Sequence, residues 1–284
     1  MKTVGVLYNP RVARARPLAE EMAAWVEQRG WQAQVCTADD APAVLCLQET
    51  DLLVTLGGDG SILRAARAAA PYGTLLLGVN LGRVGFLTET EPETWREALA
   101  RVLAGDYWVE ERMILRVVTR RGRAMLSQAE ALNDVVVGRG ARARVVHLCT
   151  EVDGGYLATY VADGLVVATP TGSTAYALAA GGPILPPQLR NILLVPVAPH
   201  LSMERPIVLS EGVTVRILVT GGRPAVLTVD GEVHAELDSG DEVTVEASPH
   251  VARFARVRER TYFYKTLVER LVPRNQIQNL ESEV

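Results

Sequence analysis

The first hundred residues alternate short apolar runs with stretches of helical spacing. Val4–Tyr8 is an apolar run closed by Asn9-Pro10, which reads as a strand and a turn. From Pro17 to Arg29, Leu18, Met22, Trp25 and Val26 recur at helical spacing, and Gly30 stops the helix. Gln32–Cys36, Leu52–Leu56 and Leu75–Val79 predict three more strands. Ser61 is expected to cap a helix that runs through Ala70 and ends at Pro71; Pro92 to Leu103 predicts another. Such β-α repetition predicts a doubly wound parallel sheet with helices on both faces.

Near Gly105 the pattern changes, and short β-type runs dominate to about Arg258. Ile114–Thr119, Asp134–Val137, Val145–Val152, Leu165–Ala168, Val213–Val219 and Val226–Val229 are β-type runs, separated by turns such as Asp153-Gly154-Gly155, Gly221-Gly222 and Asp230-Gly231. The expected fold class is therefore α/β, with an N-terminal α/β domain over 1–105 and a mostly β domain over 106–258. Thr261–Leu271 returns to helical spacing, so residues 259–284 are expected to pack back on the first domain, with the polar last dozen frayed.

Composition narrows the class. The 284 residues are 48% hydrophobic and 22% charged, which excludes a mostly disordered chain. No apolar stretch spans a membrane, and the N-terminus lacks the pattern of a signal peptide, so the cytoplasm is the expected compartment. A formal charge of −4 argues against a dedicated nucleic-acid partner. Of 29 basic residues 27 are Arg, so any phosphate contact falls to Arg or to backbone N–H groups. Cys36, Cys46 and Cys149 are scattered, without metal-ligand spacing, and are expected to be buried free thiols. His147, His200, His234 and His250 also lack ligand spacing; no metal ligands are expected from the protein.

Four segments carry candidate chemistry. In Leu52–Ser61 a buried strand runs into Gly57-Gly58-Asp59-Gly60 and a helix begins. Glycines permit positive φ and bring backbone N–H groups close to a ligand, and a helix N-terminus favours phosphate. Asp59 beside such a cradle reads as a base for a hydroxyl nucleophile or a partner of Mg²⁺; a plain turn remains open. In Asp163–Ala179, a strand leads into a loop of hydroxyls and glycine and then a small-residue helix. Small residues admit a flat ligand, and Asp163 has the chemistry to accept from a sugar hydroxyl or an amine; a polar connecting loop is the alternative. Asn133-Asp134 sits in a β-type run, where adjacent side chains face opposite ways, so one of them faces inward unless the pair lies in a turn. Gly78–Thr88 is a glycine-rich loop after a parallel strand, on the sheet edge that carries Asp59, or only a long connection. Arg139, Arg142 and Arg144 read as a solvated face, with phosphate contact the sharper alternative.

Taken in order, LGGDGS (56–61), GVNLGRVGFLTE (78–89), ALNDVVV (131–137), Asp163–Ala179 and VPVAPHLSMERPIV (195–208) closely resemble the NAD kinase family over nearly the whole chain. The resemblance implies phosphoryl transfer from ATP, or polyphosphate, to the 2′-hydroxyl of the adenosine ribose of NAD⁺, with Mg²⁺. It matches Asp59 to the general base and Gly57, Gly58 and Gly60 to the phosphate-side backbone. It assigns dinucleotide contacts to Asp59, Gly60, Asn80, Phe86, Asn133, Asp134, Asp163, Thr171, Thr174, Ala175, Tyr176, Ala177, Leu178 and Ala179, with Arg144 and Ala198 as looser matches. A homo-oligomer, tetramer or dimer, with its site completed across subunits, is also implied. Three positions depart from the family pattern: Ser61 where Thr is common, Val161 where Arg is common, and Glu232 where an amide is common. With Val161, one cationic contact is missing or supplied from elsewhere. Other classes sharing the glycine-rich turn are sugar-phosphate kinases, but no T-I-D-N-D segment occurs, and lipid kinases, where Asn-Glu usually follows rather than Ile62-Leu63-Arg64. A non-catalytic dinucleotide sensor has no need of Asp59 near phosphates.

Overall fold

The apolar runs from Val4, Leu52 and Leu75 form parallel strands buried on both faces, while the strand from Gln32 is largely open. The computed structural model describes residues 2–37, 49–82, 85–140, 144–200 and 203–271, so Cys46, Arg83, Val84, Arg142, Leu201, Ser202 and the polar tail lie outside the described residues. Strands β1 (Thr3–Tyr8), β2 (Gln32–Thr37), β3 (Leu52–Gly57) and β4 (Leu75–Asn80) pair in the order β2-β1-β3-β4, all parallel. Every residue of β1 and β3 is buried, as expected of a sheet covered on both sides. The covering helices are Ala15–Glu27, Asp59–Ala69 and Trp95–Ala104. Met22, Val26, Trp95 and Leu99 close over Val4, Val6, Val54 and Leu56. Gly30, at φ 79°, follows the first helix in the left-handed region that suits glycine.

One boundary differs in a way that matters. The second of these helices begins at Asp59 with Gly58 as its cap, and Ser61 lies inside its first turn. The Ser61 hydroxyl accepts from Asn9 Nδ2 at 3.2 Å instead of capping the helix. The helix ends at Ala69, and Pro71 lies in a short 3-10 turn that follows.

The chain divides into two units, Met1–Glu111 with Ala252–Val284, and Arg112–Val251. Strand β5 (Trp108–Arg121) carries the chain into the second unit, which also holds β6 (Ala124–Ala131), β7 (Asp134–Arg139), β8 (Val146–Val152), β9 (Gly155–Ala162), β10 (Gly164–Ala168), β11 (Asn191–Val197), β12 (Ile207–Ser210), β13 (Val215–Thr220), β14 (Ala225–Val229) and β15 (Glu232–Leu237). Strand β16 (Asp241–Arg256) then leads back to the first unit, where Arg253 and Phe254 pair in parallel with Leu75 and Leu76.

In the second unit β12-β11-β10-β7-β14-β15 form one antiparallel sheet. Opposite it stand β8, β9, β13 and the first part of β16, with the β5–β6 hairpin. Leu148, Tyr160, Ile217 and Val243 from this side meet Val135, Val167, Leu194 and Leu227 from the other in one core. Strand β13 alternates buried and open positions, whereas β10 is buried throughout. The outer face of β10 is covered by Ala177 in the single helical turn Tyr176–Ala179. Here the expected small-residue helix is only that turn, preceded by a 3-10 turn at Gly172–Thr174.

The helix Tyr262–Leu271 belongs to the first unit. Its Phe263 ring lies 5.9 Å from that of Phe86. Among the described residues no helix is long and apolar enough to cross a membrane.

Cys36 and Cys149 are only partly buried, contrary to the expectation. Cys36 lies on β2, which among the described residues pairs only with β1 at the sheet edge, and Cys149 occupies a partly open position in the alternation of β8.

Candidate active site

Asp59 stands where β3 turns into its helix, at the carboxyl end of the parallel sheet, the usual ligand edge of such folds. Its carboxylate is 28% exposed. The Phe86 N–H donates to Oδ2 at 3.0 Å and the Leu87 N–H to Oδ1 at 3.2 Å. Both oxygens are thus held by backbone from the loop after β4, and Arg270 from the C-terminal helix brings a guanidinium nitrogen to 4.0 Å. The two loops emerge side by side because Gly57 pairs with Asn80 and Leu81 N–H donates to the Gly57 carbonyl.

The glycines act differently from expectation. Gly57, Gly58 and Gly60 are not among the residues with positive φ. Gly57 is required by space, since a Cβ there would come within 2.6 Å of Ser61 Oγ. In front of Gly58 and Gly60 a Cβ would meet nothing within 4 Å, so that backbone is open to a ligand. Gly85 escaped sequence reasoning: a Cβ there would lie 1.8 Å from Asp59 Oδ1. Asn80 is 2% exposed, its amide donating to the Gly82 carbonyl and accepting from the Gly82 N–H. Phe86 is buried under the Arg270 guanidinium, 5.1 Å from its centroid.

The other candidates lie in the second unit, in two groups. Asp134 opens β7 with Asn133 just before it, and their geometry is set by Asp230. The Asp230 carboxylate accepts the N–H groups of Leu132 at 3.0 Å, Asn133 at 2.7 Å and Asp134 at 3.1 Å. Sequence reasoning saw only a turn at Asp230-Gly231; the positive φ of Asp230, 47°, and these three bonds give it a larger part. Asp134 is 5% exposed. Burial, and then the charge of Asp230, push its carboxyl up to about 7.

Against this pair packs the hydroxyl loop. Thr169 Oγ1 donates to the Leu132 carbonyl at 2.5 Å, and a Cβ on Gly172 would come within 2.0 Å of the Asn133 carbonyl. Thr171 Oγ1 accepts from Arg112 at 3.3 Å, and Thr174 Oγ1 donates to the Thr171 carbonyl. Ala175, Tyr176, Ala177, Leu178 and Ala179 follow, with Ala177 buried and Tyr176 46% exposed.

Asp163 belongs to the second group. Strands β7 and β10 are antiparallel, with Asp134 opposite Ala168 and Gly138 opposite Gly164. Asp163 therefore lies beside Arg139, five residues along β7 from Asp134, about 17 Å at about 3.4 Å per residue. Arg139 Nε pairs with Asp163 Oδ1 at 2.9 Å. Arg139 is thus the cation beside Asp163. Ala198, at φ 44°, follows β11, whose Val197 carbonyl accepts the Asp163 N–H. Arg144 lines a cavity of about 980 Å³ together with Arg139, Arg223 and Glu236.

Among the described residues no three His, Cys, Asp or Glu side chains form a metal-binding group.

A family profile described as the ATP-NAD kinase N-terminal domain matches residues 38–107, and one described as the C-terminal domain matches residues 132–257. An NAD kinase of Heliobacterium modesticaldum is 42% identical over 272 residues, covering 93% of this chain and 96% of that protein. The chain belongs to the NAD kinase family. An NAD kinase of Chloroflexus aurantiacus is 40% identical over 95% of this chain and 99% of its own. The yeast NADH kinase, solved with NADH, superposes with TM-score 0.83 at 25% identity, over 96% of this chain and 87% of that one. The NAD kinase of Archaeoglobus fulgidus, solved with ATP, gives TM-score 0.76 at 27% identity, over 93% and 97%. Both neighbours share the fold of this chain over nearly its whole length.

Proposed function

We propose that this chain phosphorylates NAD⁺ at the 2′-hydroxyl of its adenosine ribose, with ATP as donor and Asp59 as general base. The observation that carries the reading is the Asp59 carboxylate, fixed by two backbone N–H groups yet 28% exposed beside open glycine backbone. Fixed orientation is what a base needs, and the exposure leaves it reachable by a hydroxyl. The ribose oxygen attacks the terminal phosphorus of ATP, its proton passes to Asp59, and ADP leaves. Gly58, Gly60 and the helix N-terminus face the donor phosphates, where partial positive charge favours them. Asn133 and Asp134, held by Asp230, and the loop from Thr171 to Ala179 bind the dinucleotide.

Mg²⁺ enters with the nucleotide. The ion would be held chiefly by the substrate phosphates, since Asp59 serves as the base and both its oxygens accept backbone N–H groups. When bound, it neutralises charge on the transferring phosphoryl group.

The enzyme works as a homo-oligomer in the cytoplasm. Support for the assembly comes from the separation of Asp163 and Ala198 from Asp134 along one sheet. In a shared site, a second copy brings its Asp163 group to the dinucleotide held at Asp134. The decisive experiment is NADP⁺ formation from NAD⁺, ATP and Mg²⁺ by wild type and by Asp134→Ala and Asp163→Ala. Each variant alone is expected to bind NAD⁺ weakly, and the two mixed and reassembled are expected to recover activity at low NAD⁺ that neither has alone. No recovery on mixing would overturn the shared site, and no NADP⁺ from wild type would overturn the activity.

A further inference from the structure

Arg256 closes β16 and is completely buried, with the side chains of Glu89 and Glu110 equally shut off from solvent. Its Nε donates to Glu110 Oε2 at 2.9 Å. Its Nη1 reaches three oxygens: Glu89 Oε2 at 3.1 Å, the Leu87 carbonyl at 3.1 Å and the Thr88 carbonyl at 3.3 Å. Glu89 Oε1 accepts the N–H groups of Val257 and Arg258, each at 2.8 Å. The Tyr262 hydroxyl bonds to both oxygens of Glu110, at 2.9 and 2.8 Å. Arg258 adds a bond to the Thr88 carbonyl.

Burying three charges is costly, and a well-packed apolar set of equal volume is often as stable or more so. Stability alone therefore does not account for this cluster. Its position does. Leu87 gives its N–H to Asp59 and its carbonyl to Arg256, so one residue links the buried guanidinium to the carboxylate. Phe86, the other donor to Asp59, is the preceding residue. Residues 85–88 lie outside any helix or strand, so no ladder of backbone bonds sets their geometry.

We propose that Arg256, held by Glu89 and Glu110, is a positioning residue for Asp59. It fixes the Leu87 and Thr88 carbonyls and thereby aims the Phe86 and Leu87 N–H groups at the carboxylate. The proposal rests on the reading of Asp59 as the base. It adds that the strength of that base's orientation is set from the core, by a residue that touches no substrate.

The test is a mutant cycle on purified enzyme, with kcat and KM for NAD⁺ measured at saturating ATP and Mg²⁺. Arg256→Lys and Tyr262→Phe are made singly and each in an Asp59→Asn background, with unfolding midpoints recorded. Arg256→Lys is expected to lower kcat roughly tenfold to a hundredfold, the usual consequence of a small misplacement, while KM for NAD⁺ stays within about twofold. Tyr262→Phe, which leaves the ion pairs in place, is expected to show the same pattern at smaller amplitude and remains assayable if the lysine variant does not fold. In the Asp59→Asn background neither change is expected to cost further turnover, because no base remains to be aimed. An equal loss in that background, or unchanged kcat in both single variants, overturns the positioning role. Near-normal turnover of Asp59→Asn alone overturns the base reading, and the positioning role with it; it is read from that variant alone.

Discussion

Replacing Asp134 by Asn gives a pH-dependent signature that follows from its burial. The carboxyl is 5% exposed, and burial with the nearby Asp230 pushes it from an ordinary 3.8 up to about 7. The raised native value means that the folded state holds a proton that the unfolded chain gives up between those two values. Stability is therefore full below about pH 3.8 on this account, falls as pH rises, and levels off above about 7. A shift of about three units at about 1.36 kcal/mol each amounts to roughly 4 kcal/mol for this one group. An amide of the same shape carries no charge at any pH in this range. Asp134→Asn is thus expected to be more stable than wild type at pH 8 by up to about 4 kcal/mol, and close to it at pH 4, with a flatter curve between. Urea unfolding of both proteins across that range measures the difference. The same titration controls binding: only the ionised carboxylate is purely an acceptor for donors on the dinucleotide. NAD⁺ affinity of wild type is expected to rise as pH passes through about 7, and that of Asp134→Asn to stay flat. Parallel stability curves for the two proteins would refute the burial argument.

Other consequences are separable. Asp134→Ala is expected to weaken NAD⁺ binding about tenfold to a hundredfold, from a lost charge-assisted hydrogen bond of roughly 1.5–3 kcal/mol, with little change in the turnover of bound substrate; calorimetric titration checks it. Gly85→Ala places a Cβ where Asp59 Oδ1 now sits, 1.8 Å away, so turnover is expected to collapse while NAD⁺ binding persists. Asp230→Ala leaves three N–H groups without their carboxylate and is expected to cost roughly 2–4 kcal/mol in unfolding free energy. Dilution below the assembly constant is expected to reduce specific activity, and full activity from a particle that light scattering shows to be a monomer would contradict the assembly.

The sequence carried the fold class well where burial was two-sided. Runs such as Val4–Tyr8 and Leu52–Leu56 have no polar face to misread, and each appears in the structure within a residue of its expected end. Cap chemistry was less legible. Ser61 looks like a cap, but Asn9, fifty-two residues earlier, takes its hydroxyl as a partner, a contact that no local pattern encodes. The Asn133-Asp134 pair was legible as polar residues in a β-type run, and Asp134 does face inward. Its anchor was not. Asp230 is separated from Asp134 by 96 residues and has the local appearance of any Asp-Gly turn. Gly85 and Arg256 were equally silent, because the need for one is a clash and the need for the other is a buried bond to a distant loop. The antiparallel register that separates Asp163 from Asp134 also lies beyond sequence spacing, since it depends on which strands pair.

The central claim is that a carboxylate held by Phe86 and Leu87 takes the proton from the attacking hydroxyl. Asp59→Asn keeps the shape and removes the base. Steady-state NADP⁺ formation from NAD⁺, ATP and Mg²⁺, with calorimetric NAD⁺ titration on the same preparations, measures it most directly. The account predicts turnover lower by about 10²–10⁴ with NAD⁺ affinity little changed. Near-normal turnover in a correctly folded Asp59→Asn protein would contradict it.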